Sequence, residues 1–497
     1  MTEKRVELKK ALNPIDVWAL ALGSIIGFGC FVLPGDWLPK AGPLGAAIAF
    51  LLGGLLMLII ANSYSVMIKN FPVAGGEFAY AYGAFGRYHA YICGWFLALG
   101  YLSIIPANGT ALAVLGRFVA PGLFEWGYLY TVAGWEVYLG EIMLATFAML
   151  FFFYLHYKGV GAAGKMQSLI VVLLVAAVLL LGGGALLNPV TSTANLQPLF
   201  APGKSAIACI AALLAIAPFL FVGFDTIPQA AEEFNFSHDK TKKLMYLAII
   251  IGAVVYATVT LSTAMAEPWQ DLIAGKPVWA SGQAMYKTMG NLGVVFLMVG
   301  VLMAITSGIN GFFMATSRLL FGMGRAKVLP NWFTDIHPKY STPYKALIFV
   351  LIISLVAPWF GRKAIIWIVD MCAVGTAIGY MYTCMACYLL SKNNSSMPGA
   401  AMGKVKGLVG TLCAILFLGL LLIPGSPAFL TLPCWIALAC WLAIGLYFYL
   451  TIVKDYKQLS EEQLDHYILG DFHNIIKKPL VADSYQNRPT ANEKISG

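Results

Sequence analysis

Residues 23–29 read Gly-Ser-Ile-Ile-Gly-Phe-Gly, which places three glycines within seven residues in the middle of an apolar segment. Glycine inside a helix costs up to about 1 kcal/mol relative to alanine, so the cluster weakens any helix that contains it. At membrane depth, unwound backbone is tolerated only where it is buried or borders a wet cavity. The stretch therefore predicts a broken helix beside a cavity, and close helix packing through small residues is the alternative.

A second interrupted segment follows five predicted helices later. Residues 218–225 read Pro-Phe-Leu-Phe-Val-Gly-Phe-Asp, so that a proline, a glycine and a carboxylate lie inside one apolar run. Two interrupted helices in corresponding positions of two halves indicate an inverted-repeat transporter. Free N–H groups at such breaks suit a carboxylate and free carbonyls suit an ammonium group, so the pair favours zwitterionic amino acids.

The composition excludes a soluble enzyme. The 497 residues are 60% hydrophobic and only 11% charged, against about 25% charged in an average soluble protein. No predicted helix carries a metalloprotease motif or a Ser, His and Asp set, so an intramembrane enzyme has no support either. The nine cysteines, including the Cys384 and Cys387 pair, lie in apolar segments and indicate reduced packing residues. We therefore expect no disulfide, no metal and no cofactor.

The organisation of the chain is that of an all-α membrane protein. Apolar runs punctuated by Gly, Pro and charge predict twelve membrane helices. Their approximate bounds are 14–38, 44–68, 88–115, 135–155, 166–187, 206–231, 244–265, 291–321, 344–359, 364–390, 407–424 and 429–453. The chain accordingly divides into a cytoplasmic N-terminal segment (1–13), a transporter core of ten helices (14–390), two peripheral helices (391–453) and a cytoplasmic tail (454–497), which is either disordered or a plug over the pore.

The positions of the basic residues set the orientation. With both termini in the cytoplasm, all but seven of the 32 Lys and Arg residues lie on the cytoplasmic side, as the positive-inside rule requires. The seven on the other side are Lys40, Arg117, Lys204, Lys276, Lys287, Arg362 and Lys363. The net charge of +9 thus follows from membrane topology, and nucleic acid is not needed as a partner.

Five motifs resemble the amino acid, polyamine and organocation (APC) transporter superfamily. They are the glycine-rich run from Gly23 to Phe31 with Pro34; Phe-Pro-Val-Ala-Gly-Gly-Glu-Phe-Ala-Tyr at 71–80; 221–225 with Ala-Ala-Glu-Glu at 230–233; Ser-Arg-Leu-Leu-Phe at 317–321 with Arg325; and Val-Leu-Pro at 328–330. The resemblance implies a LeuT-type fold, in which ten core helices form two inverted five-helix repeats with helices 1 and 6 broken.

Similarity to the arginine/agmatine exchangers of this superfamily implies where the substrate binds. The substrate carboxylate would meet backbone at Phe28 and Gly29, and its ammonium group would meet carbonyls of both broken helices. Phe219 and Phe312 stand where those exchangers carry gating aromatics, and Phe in place of Trp argues against recognition of a guanidinium. The substrate-binding residues implied in this way are Ser24, Ile25, Ile26, Gly27, Phe28, Gly29, Phe219, Val222, Asp225, Phe312 and Asp370.

Two of these residues are carboxylates within predicted helices. A charge at the bilayer centre costs roughly 2.5–3.5 kcal/mol on insertion scales, so each should face a cavity, hold a proton or pair with a cation. A carboxylate at the position of Asp225 resembles both the exchangers and the cationic amino acid transporters, which favours a role in transport. Asp370 departs from the exchanger pattern. Asp370 either binds a substrate amine, carries a proton, or makes a buried hydrogen bond to Thr376 or Tyr380.

Coupling and gating residues are predicted separately. Thr306 and Ser307 lie near the place where sodium-coupled LeuT-type transporters supply oxygen ligands, but helix-internal hydroxyls usually bond to their own backbone. A sodium site is therefore the alternative, and a proton or substrate exchange is preferred. A cytoplasmic gate of ion pairs is expected, with a solvated inner surface as the alternative; its residues are Glu77, Glu232, Glu233, Arg318 and Arg325.

The sequence as a whole predicts a secondary transporter, either a permease or an antiporter, that moves amino acids or related amines across the cell membrane by alternating access. The alternative is a transporter-like sensor or assembly subunit that binds an amino acid without moving it. Lipid-facing and subunit-facing apolar surfaces look alike in a sequence, so the oligomeric state is left open.

Overall fold

The structure is a computed structural model that describes residue 10, residues 12–470 and residue 472. Ten stretches within these residues are helical, long and apolar enough to cross a membrane. The protein is thus a multi-pass, helical membrane protein. Most of the tail predicted to be disordered or a plug lies outside the described residues.

Eighteen α-helices account for most of the described residues. The first ten are α1 (Pro14–Ile26), α2 (Gly29–Val32), α3 (Pro34–Asn70), α4 (Glu77–Phe85), α5 (Arg87–Val119), α6 (Leu139–Lys158), α7 (Val160–Leu187), α8 (Ala206–Leu214), α9 (Ala217–Phe221) and α10 (Thr226–Gln229). The others are α11 (Thr241–Met265), α12 (Trp269–Ala274), α13 (Ala280–Arg325), α14 (Tyr344–Ser354), α15 (Gly361–Asn393), α16 (Ala400–Leu422), α17 (Leu432–Gln458) and α18 (Glu461–Ile468).

The first predicted helix, 14–38, is wrong in its extent. Asn13 caps α1 in a capping box with Asp16, and Pro14 occupies the first turn, so the helix starts as the sequence indicates. It ends at Ile26, however, and the second long helix already begins at Pro34 with a kink at Gly42, where φ is 71°. Prolines inside that helix are tolerated at the kink because the ladder of backbone hydrogen bonds is interrupted there.

The expectation of a purely α-helical chain is wrong at one place. Strands β1 (Tyr128–Val132) and β2 (Trp135–Tyr138) form an antiparallel hairpin, whereas the apolar pattern predicts a helix from residue 135. Alternating aromatic and β-branched residues favour strands, and the turn residues Ala133 and Gly134 both have positive φ, as two-residue hairpin turns require. The fourth long helix therefore begins only at Leu139.

The helices run between two ends of the molecule. We name one the hairpin end; it carries β1 and β2, α12 and the start of α15. We name the other the tail end, because α18 and the start of α1 lie there: Leu12 pairs with Phe234 in a parallel bridge, and Asp465 accepts a hydrogen bond from Tyr82. The candidate site lies between the two ends, where α1, α5, α9, α10, α11 and α13 pack together.

Candidate functional site

The first helix breaks at Gly27. This residue has φ 40° and ψ −179°, α1 ends directly before it, and α2 begins two residues later. Within 4 Å, a Cβ atom on Gly27 would meet only one atom, the carbonyl oxygen of Ser24, at a distance of 3.7 Å. Gly27 is also partly exposed, although Ile26 and Phe28 on either side are buried. The backbone at the break therefore borders open space.

The sixth predicted helix is divided into α8, α9 and α10, and its main break is at Val222–Asp225. Gly223 has φ 138°, a conformation that side chains other than glycine rarely adopt. A Cβ atom there would lie 2.6 Å from the backbone nitrogen of Ile25 and 2.8 Å from Cβ of Ser24. The two broken helices thus meet backbone to backbone, and this contact requires glycine at position 223.

Side chains already satisfy part of the exposed backbone at the breaks. The hydroxyl of Tyr256 donates to the carbonyls of Ile25 (2.8 Å) and Ile26 (3.3 Å). The N–H of Gly223 donates to Oδ1 of Asp225 at 2.7 Å, so this carboxylate organises the unwound segment. Because a carbonyl oxygen has two lone pairs, those of Ile25 and Ile26 keep acceptor capacity after bonding Tyr256.

Aromatic side chains enclose the breaks. The rings of Phe28 and Phe219 lie 6.2 Å apart, and a Cβ atom on Gly29 would touch the Phe219 ring at 3.4 Å. Phe312 is buried 5.7 Å from the ring of Tyr101, whose hydroxyl donates to the backbone carbonyl of Asp225 at 3.0 Å. The predicted residues of α1, α9 and α13 therefore lie around one apolar centre, where the backbone departs from regular helical hydrogen bonding.

Glu77 is not ion-paired with the other predicted gate residues. The buried carboxylate accepts hydrogen bonds from the hydroxyl of Tyr101 (3.1 Å) and from the side-chain amide of Gln229. Among the ion pairs of the described residues none involves Glu77. It connects the start of α4 to the Asp225 segment through Tyr101.

The other predicted gate residues form two ion pairs near the tail end. Nε of Arg318 donates to Oε1 of Glu233 at 2.9 Å, and Arg325 binds both carboxylate oxygens of Glu232 at 2.8 and 3.2 Å. All four side chains are largely buried. Glu232 also accepts the backbone N–H of Ala74, at 2.9 Å, so the pairs tie α13 to the segments that follow α3 and α10.

Asp370 lies apart from this centre. Its nearest recorded side-chain partner is Sγ of Cys434, 3.9 Å away in the first turn of α17. Thr376 instead bonds the carbonyls of Cys372 and Ala373 in its own helix, and the ring of Tyr380 packs 5.5 Å from that of Phe224. Asp370 thus faces the last long helix towards the hairpin end and makes neither predicted hydrogen bond.

The two hydroxyls considered for sodium are both engaged. Thr306 donates back to the carbonyl of Met303 at 3.0 Å. Ser307 accepts the side-chain amide of Gln167, which also donates to the carbonyl of Ala19 at 3.3 Å. Asn310 donates to the oxygen of the same amide at 2.9 Å. The fully buried Gln167 therefore bridges α7, α1 and α13 through an uncharged group.

Sequence reasoning missed four polar side chains at this centre. Each is a single polar residue whose neighbours in the sequence give no sign of its role; they are Tyr101, Gln167, Gln229 and Tyr256. A lone polar residue in a membrane helix is the only available signal, and the sequence does not tell which neighbour it faces.

A membrane protein in which two interrupted helices meet at a buried, backbone-lined centre belongs to the class of multi-pass membrane transporters. A family model described as amino acid permease matches residues 12–446, which is most of the chain. The chain belongs to the amino acid permease family, within the APC superfamily, and it is not an enzyme.

Three relatives indicate the range of this family. The branched-chain amino acid permease of Bacillus subtilis (strain 168) is 26% identical over 433 residues, covering 84% of this chain and 90% of that protein. The methylthioribose transporter of the same organism is 24% identical over 349 residues, covering 69% and 73%. The large neutral amino acids transporter small subunit 2 of Homo sapiens is 25% identical over 363 residues, covering 70% and 64%.

Proposed function

We propose that the protein is a secondary transporter that moves neutral amino acids with apolar side chains across the cell membrane by alternating access. The observation that carries the proposal is the contact between the two helix breaks, Gly27 beside open space and Gly223 against the backbone of Ile25. Such a centre offers a zwitterion N–H and C=O groups that are outside regular helical hydrogen bonding, and it changes shape when one broken helix moves against the other.

The proposal also covers the number of membrane crossings, their repeat arrangement and their orientation. We infer twelve crossings, because the stretch Tyr344–Asn393 contains two helices and the interrupted segment 206–229 crosses in pieces, in addition to the other nine stretches. The first ten crossings would form two inverted repeats of a LeuT-type fold. The tail end would face the cytoplasm, in accordance with the distribution of Lys and Arg.

The substrate would lie along the break in the first helix. Its carboxylate would meet the N–H groups at Phe28 and Gly29, since the first N–H groups of a helical segment have no partner within the helix. Its ammonium group would meet the carbonyls of Ile25 and Val222. The side chain would then face Phe219 and its neighbours, which favours an apolar residue.

The relatives support this substrate class. The names of two of them specify branched-chain and large neutral amino acids. The side chains of Phe219 and Phe312 are buried and have no hydrogen-bonding atoms, which favours an apolar substrate side chain.

For coupling, we propose substrate exchange or proton symport rather than sodium symport. The hydroxyl of Ser307 accepts an N–H of the neutral Gln167 amide, and a sodium ion at this oxygen would have to compete with that donor. Asp225, fully buried between the breaks, is the residue proposed to respond to a proton.

The first prediction tests the site at Gly27. Replacement of Gly27 by Val should weaken substrate binding at least about tenfold, because a β-branched residue resists φ 40° and its side chain would fill the open space. The measurement is binding and counterflow of labelled leucine with purified protein in proteoliposomes.

The matched control is Gly183→Val, which changes a glycine of α7 that has open space around its Cβ and a normal helical φ. Unchanged leucine affinity in the Gly27 variant would remove the substrate from this break. If the unaltered protein binds leucine but shows no counterflow, the protein is a sensor and not a transporter.

The second prediction separates the charge of Asp225 from its structural bond. Asp225→Asn keeps an oxygen that can accept the N–H of Gly223, so the fold should persist while the initial rate of leucine counterflow falls at least about tenfold. Asp271→Asn, at an exposed position of α12, is the control. A normal rate in the Asp225 variant would exclude this carboxylate from the mechanism.

A further inference from the structure

The hairpin end contains a cavity that is separate from the helix breaks. Its volume is about 400 Å³, within the usual range for small-molecule sites. The charged side chains in its lining are Asp36, Lys276, Arg362 and Lys363, three cations against one carboxylate. The cavity therefore favours a ligand with a negatively charged group.

Arg362 joins the walls of this cavity. Nη2 donates to Oδ2 of Asp36 at 3.1 Å, and Nη1 donates to the backbone carbonyl of Val278 at 2.6 Å. The guanidinium also lies 5.8 Å from the ring of Trp135 in the hairpin. One side chain thus holds together the start of α15, the start of α3, the segment before α13 and β2.

The ion pair remains accessible from the cavity. The Arg362 side chain is 18% exposed and that of Asp36 is 26% exposed. A guanidinium has five N–H donors, and only two are used by Asp36 and Val278. Partly exposed ion pairs contribute little net stability, so a competing charged ligand can replace one partner.

We propose that this cavity is an entry site for zwitterionic amino acids, in which the substrate carboxylate binds Arg362 and the substrate ammonium group binds Asp36. The inference rests on the proposed function. The substrate takes the place of the direct Arg362–Asp36 contact without leaving either charge unpaired. Lys276 and Lys363 raise the local concentration of carboxylates around the cavity.

The substrate side chain has an apolar wall to contact. Ile273, Trp135 and Ile366 line the same cavity as the charged residues. Binding there separates the start of α3 from the start of α15, because both ends of their ion pair are now occupied by the guest. Entry of the substrate therefore releases one of the contacts that hold the hairpin end together.

The experiment measures leucine uptake by intact cells that express the protein, so that only the outer face meets the substrate. The variants are Arg362→Gln, Arg362→Lys and Asp36→Asn, and the control is Lys204→Gln, an exposed cation of the hairpin end outside the cavity lining. A second probe is 4-methylpentanoate, which is leucine without its amino group.

Arg362→Gln should raise the KM for leucine about tenfold with kcat within about twofold, and Arg362→Lys should restore part of the loss. Asp36→Asn should make 4-methylpentanoate a stronger inhibitor, because Arg362 is then free for it, whereas Arg362→Gln should abolish that inhibition. If Arg362→Gln does not reach the membrane, Arg362→Lys and Asp36→Asn carry the test alone.

A simple latch gives a different pattern. Removing either partner would then leave inhibition by 4-methylpentanoate unchanged, and this result would overturn the proposed entry site. The proposed function fails separately: in that case the unaltered protein takes up no leucine, whereas failure of the entry site leaves uptake intact with Arg362→Gln equal to the control.

Discussion

Two ion pairs, one at each end of the molecule, lie in very different surroundings. At the tail end, the side chains of Arg318 and Glu233 are only 2% and 3% exposed, whereas Arg362 and Asp36 at the hairpin end retain 18% and 26%. A buried pair is costly to break because one charge is left without a partner or water, while a partly exposed pair is replaced by water at little cost. The contact between Arg362 and Asp36 is therefore easier to break than the contact between Arg318 and Glu233.

The difference extends to the number of segments that each end holds. At the tail end the backbone carbonyl of Glu233 accepts the N–H of Leu12, and its neighbour Glu232 binds both Arg325 and the N–H of Ala74. At the hairpin end Arg362 binds Asp36 and the carbonyl of Val278, while Arg117 binds Glu141 and the carbonyl of Glu136. A substrate that competes for Arg362 breaks one of these contacts, whereas Glu232 and Glu233 are neighbours, so movement of their segment breaks several contacts together.

The largest effect is expected when a buried pair is broken. Glu233→Gln leaves Arg318 buried without its counter-charge, so the variant should lose about 3–5 kcal/mol of stability. Thermal unfolding of purified protein in detergent measures the loss. The exposed pair of Lys345 with Asp335 supplies the matched control, since Asp335→Asn should cost less than about 1 kcal/mol.

Asp36→Asn should fall between these two variants, because its side chain is more buried than that of Asp335 and less than that of Glu233. The comparison of the two ends depends on this order. Equal unfolding temperatures for Glu233→Gln and Asp36→Asn would show that the two ion pairs contribute equally to stability.

Local features explain what the sequence could predict. The break at Gly27 was predictable because clustered glycines weaken a helix wherever it packs, and the same holds for the segment around Gly223. The types of residue that close the tail end were also predictable, but not their pairing. Glu77 contacts Tyr101 and Gln229 instead of an arginine, because partners in a membrane bundle depend on which helix faces which.

Other features depend on packing that no local pattern reveals. The role of Gln167 needs α1, α7 and α13 to converge, and Asp370 faces α17 because of the rotation of its helix. The hairpin escaped prediction because β1 and β2 are short and stand directly before a long apolar helix. In all these cases the contacts depend on which helices face each other in three dimensions, and a single sequence does not contain that arrangement.

The smallest effect is expected where α18 contacts α4 at the tail end. Leu464 and Ile468 of this helix are buried, and Asp465 accepts the hydroxyl of Tyr82 at 2.9 Å. Burial, followed by the charge of Asp465, raises the pKa of Tyr82, so its hydroxyl stays protonated and remains a donor.

Tyr82→Phe removes only this hydrogen bond, and about 0.5–1.5 kcal/mol of local stability should be lost. The expected result is faster proteolysis within 459–472 and an unchanged global unfolding temperature. The exposed Tyr286, changed to Phe, is the control. If the tail of the Tyr82 variant is cleaved no faster than that of the control, the apolar contacts of Leu464 and Ile468 alone hold α18, and the tail end is closed independently of Tyr82.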